Sequence, residues 1–286
     1  MIDEIDGVAI DVSRTGEGGP VVIFVHGLGC DQGDWRLQIN ALAPQFQCVT
    51  FDLPGHGRSA LPASGGIEEL ARVLAGVIAR YGRKGCVLVG HSLGCRIILE
   101  ASSLSSETRQ LIRAIAFLEQ SLVTGGDPAK VESVIDAVAL RIDNSSIHEF
   151  LRPAFAAMFV AGSDPKLKET VLARLDRLDS RFARELLLSA TRWESRAAEQ
   201  LAGLHMPMLL VQSTYLDAQF QWHPLEPGMS TPWIDLVKAS VSDCDVRILI
   251  GSGHFSPVEA ADKVNECLLH FLNKTRSASR QSHVGD

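Results

Sequence analysis

Four short apolar runs, separated by segments of helical period, constrain the fold more than any other feature of this chain. The runs VVIFVHG (21–27), CVTFDLP (48–54), CVLVGHS (86–92) and AIAFLEQ (114–120) are apolar at consecutive positions, so both faces of each strand need cover. That pattern belongs to a parallel sheet sandwiched between helices, not to an antiparallel sheet with one wet face. Ile67, Leu70, Ala71, Leu74, Val77, Ile78 and Tyr81 recur at the helical period and predict a helix over 67–81 that lies on the sheet. VAIDVSRTGEGGPVVIFV reads as strand, Gly-rich turn and strand, so the sheet is expected to begin with a hairpin.

The pattern then changes. Residues 121–205 carry helical runs but no convincing strand: 129–141 is one, and 164–178 is another, opened by Asp164 and Pro165 as N-cap and first-turn residues. After it the strand–helix alternation resumes with MLLVQST (208–214), a long loop, DVRILIG (245–251) and a last helix. That helix is expected to open on a capping box at Ser256-Pro257-Val258-Glu259. The expected organisation is a mostly parallel α/β core, 1–120 and 206–275, with an all-helical cap, 121–205, over the strands' C-terminal ends. Residues 276–286 read as a flexible polar tail.

At 286 residues one domain with an insertion fits better than several small ones. A formal charge of −7 and the absence of Lys/Arg runs point away from nucleic acid and anionic membranes as partners. No apolar stretch reaches the roughly 18 residues of a membrane span. The acidic first residues do not look like a secretory signal. The cysteines (30, 48, 86, 95, 244 and 267) have neither metal-site nor disulfide-scaffold spacing, so a cytoplasmic protein with reduced thiols is expected. Cys95 reads as packing. No cofactor or metal site is indicated, and the oligomeric state is open.

The chemistry concentrates at strand ends. Gly90-His91-Ser92-Leu93-Gly94 lies between a strand and a helix, where a serine is held in a strained backbone with its hydroxyl raised above the sheet. His26-Gly27-Leu28-Gly29 follows another strand, and its turn, with the helix start at Leu93, offers the amides of Leu28 and Leu93 as an oxyanion hole. Gly251-Ser252-Gly253-His254-Phe255 projects an imidazole over the sheet edge, where His254 can serve Ser92 as base and then acid. These, with the DLPGHGRS run (52–59), resemble the α/β-hydrolase superfamily over nearly the whole chain. The resemblance implies that Asp52 and His56 are scaffold, and that 121–205 is a helical lid. Ser at the elbow argues against haloalkane dehalogenase and typical epoxide hydrolase chemistry, which use Asp there.

The third member, a carboxylate to orient His254, has two candidates. Asp217 sits after MLLVQST, near the usual family position but about one residue late; Glu119 ends the strand AIAFLE and ranks narrowly ahead. Glu226 and Asp235 are distant alternatives. Phe155, Met158, Phe159 and Trp193 of the insertion are expected to line an apolar substrate pocket. Trp222 and Trp233 could close its mouth, and Trp35 reads as packing. The expected reaction is hydrolysis of a carboxylic ester with an apolar acyl or alcohol part. A lactonase, an amidase or a carbon–carbon bond hydrolase would use the same machinery, and a small-molecule receptor with slow turnover is the reading from another class.

Overall fold

The computed structural model describes residues 1–125, 127–217 and 219–281. Ten strands are present among them: β1 (Ile2–Ile5), β2 (Val8–Thr15), β3 (Val21–Val25), β4 (Gln47–Phe51), β5 (Cys86–His91), β6 (Ile112–Leu118), β7 (Met208–Gln212), β8 (Thr214–Leu216), β9 (Trp222–Pro224) and β10 (Cys244–Ile248). Eight form one sheet in the order β1-β2-β4-β3-β5-β6-β7-β10. The β1–β2 and β2–β4 pairs are antiparallel and the remaining pairs parallel.

Helices cover both faces: α1 (Arg36–Leu42), α2 (Ile67–Tyr81), α3 (Leu93–Leu104) and α4 (Ser106–Leu111) come before β6. The run α5 (Val131–Asp143), α6 (Ile147–Ala156), α7 (Pro165–Leu175), α8 (Ser180–Trp193) and α9 (Ala197–Ala202) forms a helical insertion between β6 and β7. Then follow α10 (Pro232–Ser240), α11 (Ser256–Glu259) and α12 (Ala261–Gln281).

Successive residues of the central strands alternate between two cores, as a strand's two-residue period requires. Ile23, Val25, Leu88, Ile115 and Phe117 join the face covered by Leu70, Leu74 and Ile97. Val22, Phe24, Val87, Val89 and Ala116 join the opposite face, covered by Leu42, Val264, Leu268 and Phe271. A third cluster, including Val138, Leu151, Phe155, Val171 and Leu175, is the insertion's own core.

Four expectations of local structure change. The first hairpin joins β1 to β2 through Asp6 and Gly7, both at positive φ (50° and 75°), and β2 pairs with β4 instead of β3. The Gly-rich stretch is a crossing over the start of β4: a Cβ on Gly16 would lie 2.3 Å from the Phe46 carbonyl oxygen, and Gln47 N–H donates to Gly18 O at 2.6 Å. The long loop after β7 contains the β8–β9 hairpin and α10. Ser256 makes no capping box; α11 is a short helix with Phe255 at its N-cap and no side-chain cap. Finally, α12 runs to Gln281, further than its polar sequence suggests, and residues 282–286 of the expected tail lie outside the described residues. No helix among the described residues is long and apolar enough to cross a membrane.

Candidate active site

β5 ends at His91 and α3 begins at Leu93, leaving Ser92 alone to turn the chain at φ 53°, ψ −118°. So tight a turn needs both neighbouring glycines. A Cβ on Gly94 would lie 2.2 Å from the Val25 carbonyl oxygen, and one on Gly90 would lie 2.8 Å from Ile98 Cδ1. Backbone strain outside glycine is confined to four described residues, Asp6, Ser92, Glu119 and Phe220. Asp6 makes the β1–β2 turn. Ser92 and Phe220 line one cavity and Glu119 is buried directly before Gln120, which lines it too; strain held by the fold at such places is commonly associated with function.

Ser92 Oγ and His254 Nε2 share a hydrogen bond at 2.9 Å. The His254 loop is held by its own backbone: His254 N–H donates to Met158 O (2.9 Å) and His91 Nε2–H donates to the His254 carbonyl (2.8 Å). His91 is therefore a support for the loop. Burial, and then the neighbouring His91, push the His254 imidazole well below its ordinary 6.5, so it is neutral and able to accept a proton. In the tautomer that lets Nε2 accept from Ser92, the ring proton is on Nδ1, which has no hydrogen-bond partner among the described residues.

Glu119 follows the last residue of β6 at φ 59° and is fully buried. One carboxylate oxygen accepts from Ser213 N–H (3.0 Å), Thr214 N–H (3.2 Å) and Thr214 Oγ1 (3.2 Å). Its other oxygen, Oε1, is buried and completes no hydrogen bond of good geometry, like His254 Nδ1, although the Ser256 hydroxyl is near enough to favour the carboxylate's charge. Ser213 also donates through Oγ to Gly253 O at 2.8 Å, tying the segment that holds Glu119 to the loop that carries His254. Asp217 is committed to its own hairpin, accepting from Gln219 N–H (2.8 Å), Gln221 N–H (2.8 Å) and His223 Nε2 (2.7 Å).

Burial raises the Glu119 carboxyl from 4.5 to about 7, against hydrogen bonds that favour its charge. The folded protein thus binds this proton more tightly than the unfolded chain does, and stability falls as pH rises from about 4.5 through about 7. Glu119→Gln removes that penalty. Its melting temperature relative to the native protein should rise across this window, measured by calorimetry; a difference that is flat or falls with pH would contradict the burial argument.

The amides of Leu28 and Leu93 make no hydrogen bond among the described residues, and both residues border the same cavity as Ser92 and His254. That cavity measures about 330 Å³ and lies under the insertion. Phe155 and Met158 line it. Phe159 instead stacks on Phe255 (4.8 Å between centroids), and Trp193 is buried in the core with Nε1 on Gln200. Trp222, on β9, packs 4.3 Å from the His254 ring; Trp233 is buried in α10 against Phe117, and Trp35 packs on Phe24. Glu226 and Asp235 lie outside the cavity lining.

One polar wall was not anticipated. Arg96, one helical turn beyond Ser92, donates through Nη2 to Glu194 (2.8 Å) and to Ser121 O (2.7 Å), and through Nη1 to Ala190 O. With the Gln120 amide oriented to satisfy its neighbours, its nitrogen donates to Ser92 O (3.0 Å) and its oxygen accepts from Arg96 Nε (2.9 Å). Glu194 also accepts from Val123 N–H and from the Thr124 amide and hydroxyl. The network bolts α8 of the insertion to the turn that carries Ser92. An arginine amid the apolar first turns of α3 was its sequence signal.

A fold of this topology with a serine and a histidine carried beyond the C-terminal ends of two strands of one sheet, β5 and β10, defines a class of hydrolases. The chain belongs to the alpha/beta hydrolase family, whose pattern it matches over residues 22–266. It is 27% identical over 282 residues to the dihydrolipoyllysine-residue acetyltransferase component of the acetoin cleaving system of Cupriavidus necator, covering 94% of this chain and 68% of that protein. Among solved structures it is similar to a thermophilic esterase from Thermogutta terrifontis (TM-score 0.72, 20% identity, 96% of this chain and 99% of that one). It is equally similar to the enol-lactonase from Burkholderia xenovorans (TM-score 0.72, 17% identity, 96% and 100%). At these identities the structural likeness speaks for the fold.

Proposed function

We propose that this protein is a serine hydrolase that cleaves carboxylic esters with an apolar acyl or alcohol part through an acyl-enzyme. The observation that carries the reading is the 2.9 Å hydrogen bond between Ser92 Oγ and a neutral, buried His254 at the floor of a cavity lined largely by apolar side chains. In this reading Ser92 Oγ attacks the ester carbonyl while its proton passes to His254 Nε2. Negative charge collects on the carbonyl oxygen, which the Leu28 and Leu93 amides receive. His254 then protonates the departing alkoxide. Water, deprotonated by His254, releases the acid and restores Ser92. Glu119 would hold the Nδ1 proton and stabilise the imidazolium between these transfers. The helical insertion acts as a cap that supplies the substrate's apolar contacts.

The test is a fluorophosphonate label with peptide mapping, run beside a panel of esters, lactones and amides. Label is expected on Ser92, with turnover of esters ahead of amides. Label on another residue, or none, sinks the assignment of the nucleophile. Labelling without turnover of any class points instead to a ligand-binding protein on the same fold.

A further inference from the structure

The charges bordering the cavity do not balance, and the surplus has a location. Four chargeable side chains line it: Arg96, Glu194, His254 and Arg141. Arg96 and Glu194 cancel, each saturated by the network described above. His254 is neutral. Arg141, on α5, remains: among the described residues no carboxylate lies within ion-pair distance of it, and its guanidinium donates no hydrogen bond.

Arg141 is solvent-exposed at the rim, but two rings flank its head group. Its guanidinium carbon lies over the Phe150 ring at 5.1 Å and over the Phe220 ring at 5.6 Å. Phe150 belongs to α6 and Phe220 to the turn between β8 and β9, where it is held at φ 62°. Two aromatic faces from separate elements thus flank the head group at the cavity's edge. Neither ring offers an oxygen acceptor, so the guanidinium N–H groups keep no conventional partner there, and those donors match the two oxygens of a carboxylate. The local positive charge also stands against a chain whose formal charge is −7, which would otherwise repel anions.

We infer that Arg141 is a specificity-determining residue: the cavity takes substrates that end in a carboxylate remote from the bond cleaved, and Arg141 receives that anion. The inference rests on the reading of Ser92 and His254 as the reacting pair. The middle of such a substrate lies against the apolar walls, Val138, Leu151, Phe155 and Leu187. Little else there competes for the anion.

Monomethyl esters of dicarboxylates from succinate to suberate, set against methyl esters of the matching monocarboxylates, form one set of probes. Acetate esters of ω-hydroxy acids and of the matching alcohols cover the reverse orientation. The readout is the ratio of kcat/KM for the anionic over the neutral member, which cancels damage common to both. Hydrogen bonds to charged groups predict a ratio above about ten for the best pair, falling toward one in Arg141→Gln. In Arg141→Glu it should fall below one. A native ratio near or below one in both orientations, or a ratio unmoved by Arg141→Gln, overturns the inference. Calorimetric binding of the same pairs to Ser92→Ala separates it from the reading beneath it. Anion-preferring binding that Arg141→Gln abolishes supports the site even where no ester is cleaved; equal binding of both members overturns it while leaving any measured hydrolysis standing.

Discussion

Ser92→Ala should lower ester turnover by on the order of a million-fold, because a nucleophile and its base act as a unit and removing one forfeits the work of both. The residue that replaces it keeps the elbow: alanine has no larger Cβ than serine, and the turn is imposed by Gly90 and Gly94 packed against Ile98 and the Val25 carbonyl. Binding under the cap and the amides of Leu28 and Leu93 should therefore survive. What disappears is the oxygen 2.9 Å from His254 Nε2. Turnover is best followed with a chromogenic ester, whose pre-steady-state burst should vanish together with the fluorophosphonate label. Activity within tenfold of the native protein would mean that Ser92 is not the nucleophile.

The second large effect separates two carboxylates. Glu119→Gln should lower kcat by about ten-thousand-fold, the loss typical when the carboxylate behind a catalytic imidazole becomes an amide. Gln can still accept from Ser213 and Thr214, but where the carboxylate would meet His254 Nδ1–H it brings either a neutral oxygen or an N–H. In the proposed reaction it could not neutralise the imidazolium of either half. Asp217→Asn should change kcat by no more than a few-fold, since Asp217 spends its carboxylate on Gln219, Gln221 and His223 within its own hairpin. Steady-state kinetics of the two variants, on the same ester and at one pH, decide between them. The reverse order would place the acid on the hairpin after β7.

Much of this was legible in the chain. Consecutive apolar residues at 21–25 and 86–89 require cover on both sides, which only a helix-flanked sheet supplies, and the structure divides them between two cores accordingly. The positions of Ser92 and His254 were legible because each follows a strand in a glycine-containing turn, Gly90 and Gly94 around the one and Gly251 and Gly253 before the other, a local arrangement that sequence spacing records. The hairpin at Asp6-Gly7 went unread, although an Asp-Gly pair is what the tightest hairpin turns favour, because the Gly-rich stretch after it is the more conspicuous punctuation. That stretch proves to be a crossing because strand order depends on which edges pair, and no local signal in 16–20 encodes that β2 lies beside β4.

Other features exist only through contacts between distant segments. Phe159 and Trp193 have the composition of pocket residues, yet Phe159 faces Phe255 and Trp193 faces Gln200, because helical spacing sets a stripe but not the element it meets. Arg96 meets Glu194 across 98 positions of chain, and Arg141 is flanked by Phe150 and a hairpin tip.

By itself, then, the sequence determined the class of sheet, the elbow at Ser92 and the loop that carries His254, since each follows from short-range patterns of burial and backbone freedom. The tertiary structure decided which carboxylate keeps a buried oxygen without a hydrogen bond of good geometry and lies tied to the His254 loop, and which charge at the cavity is left uncancelled. Both are differences between partners brought together from far apart in the chain, and burial sets their consequence: in a low-dielectric interior an unmatched polar atom or charge is expensive enough to define what must meet it.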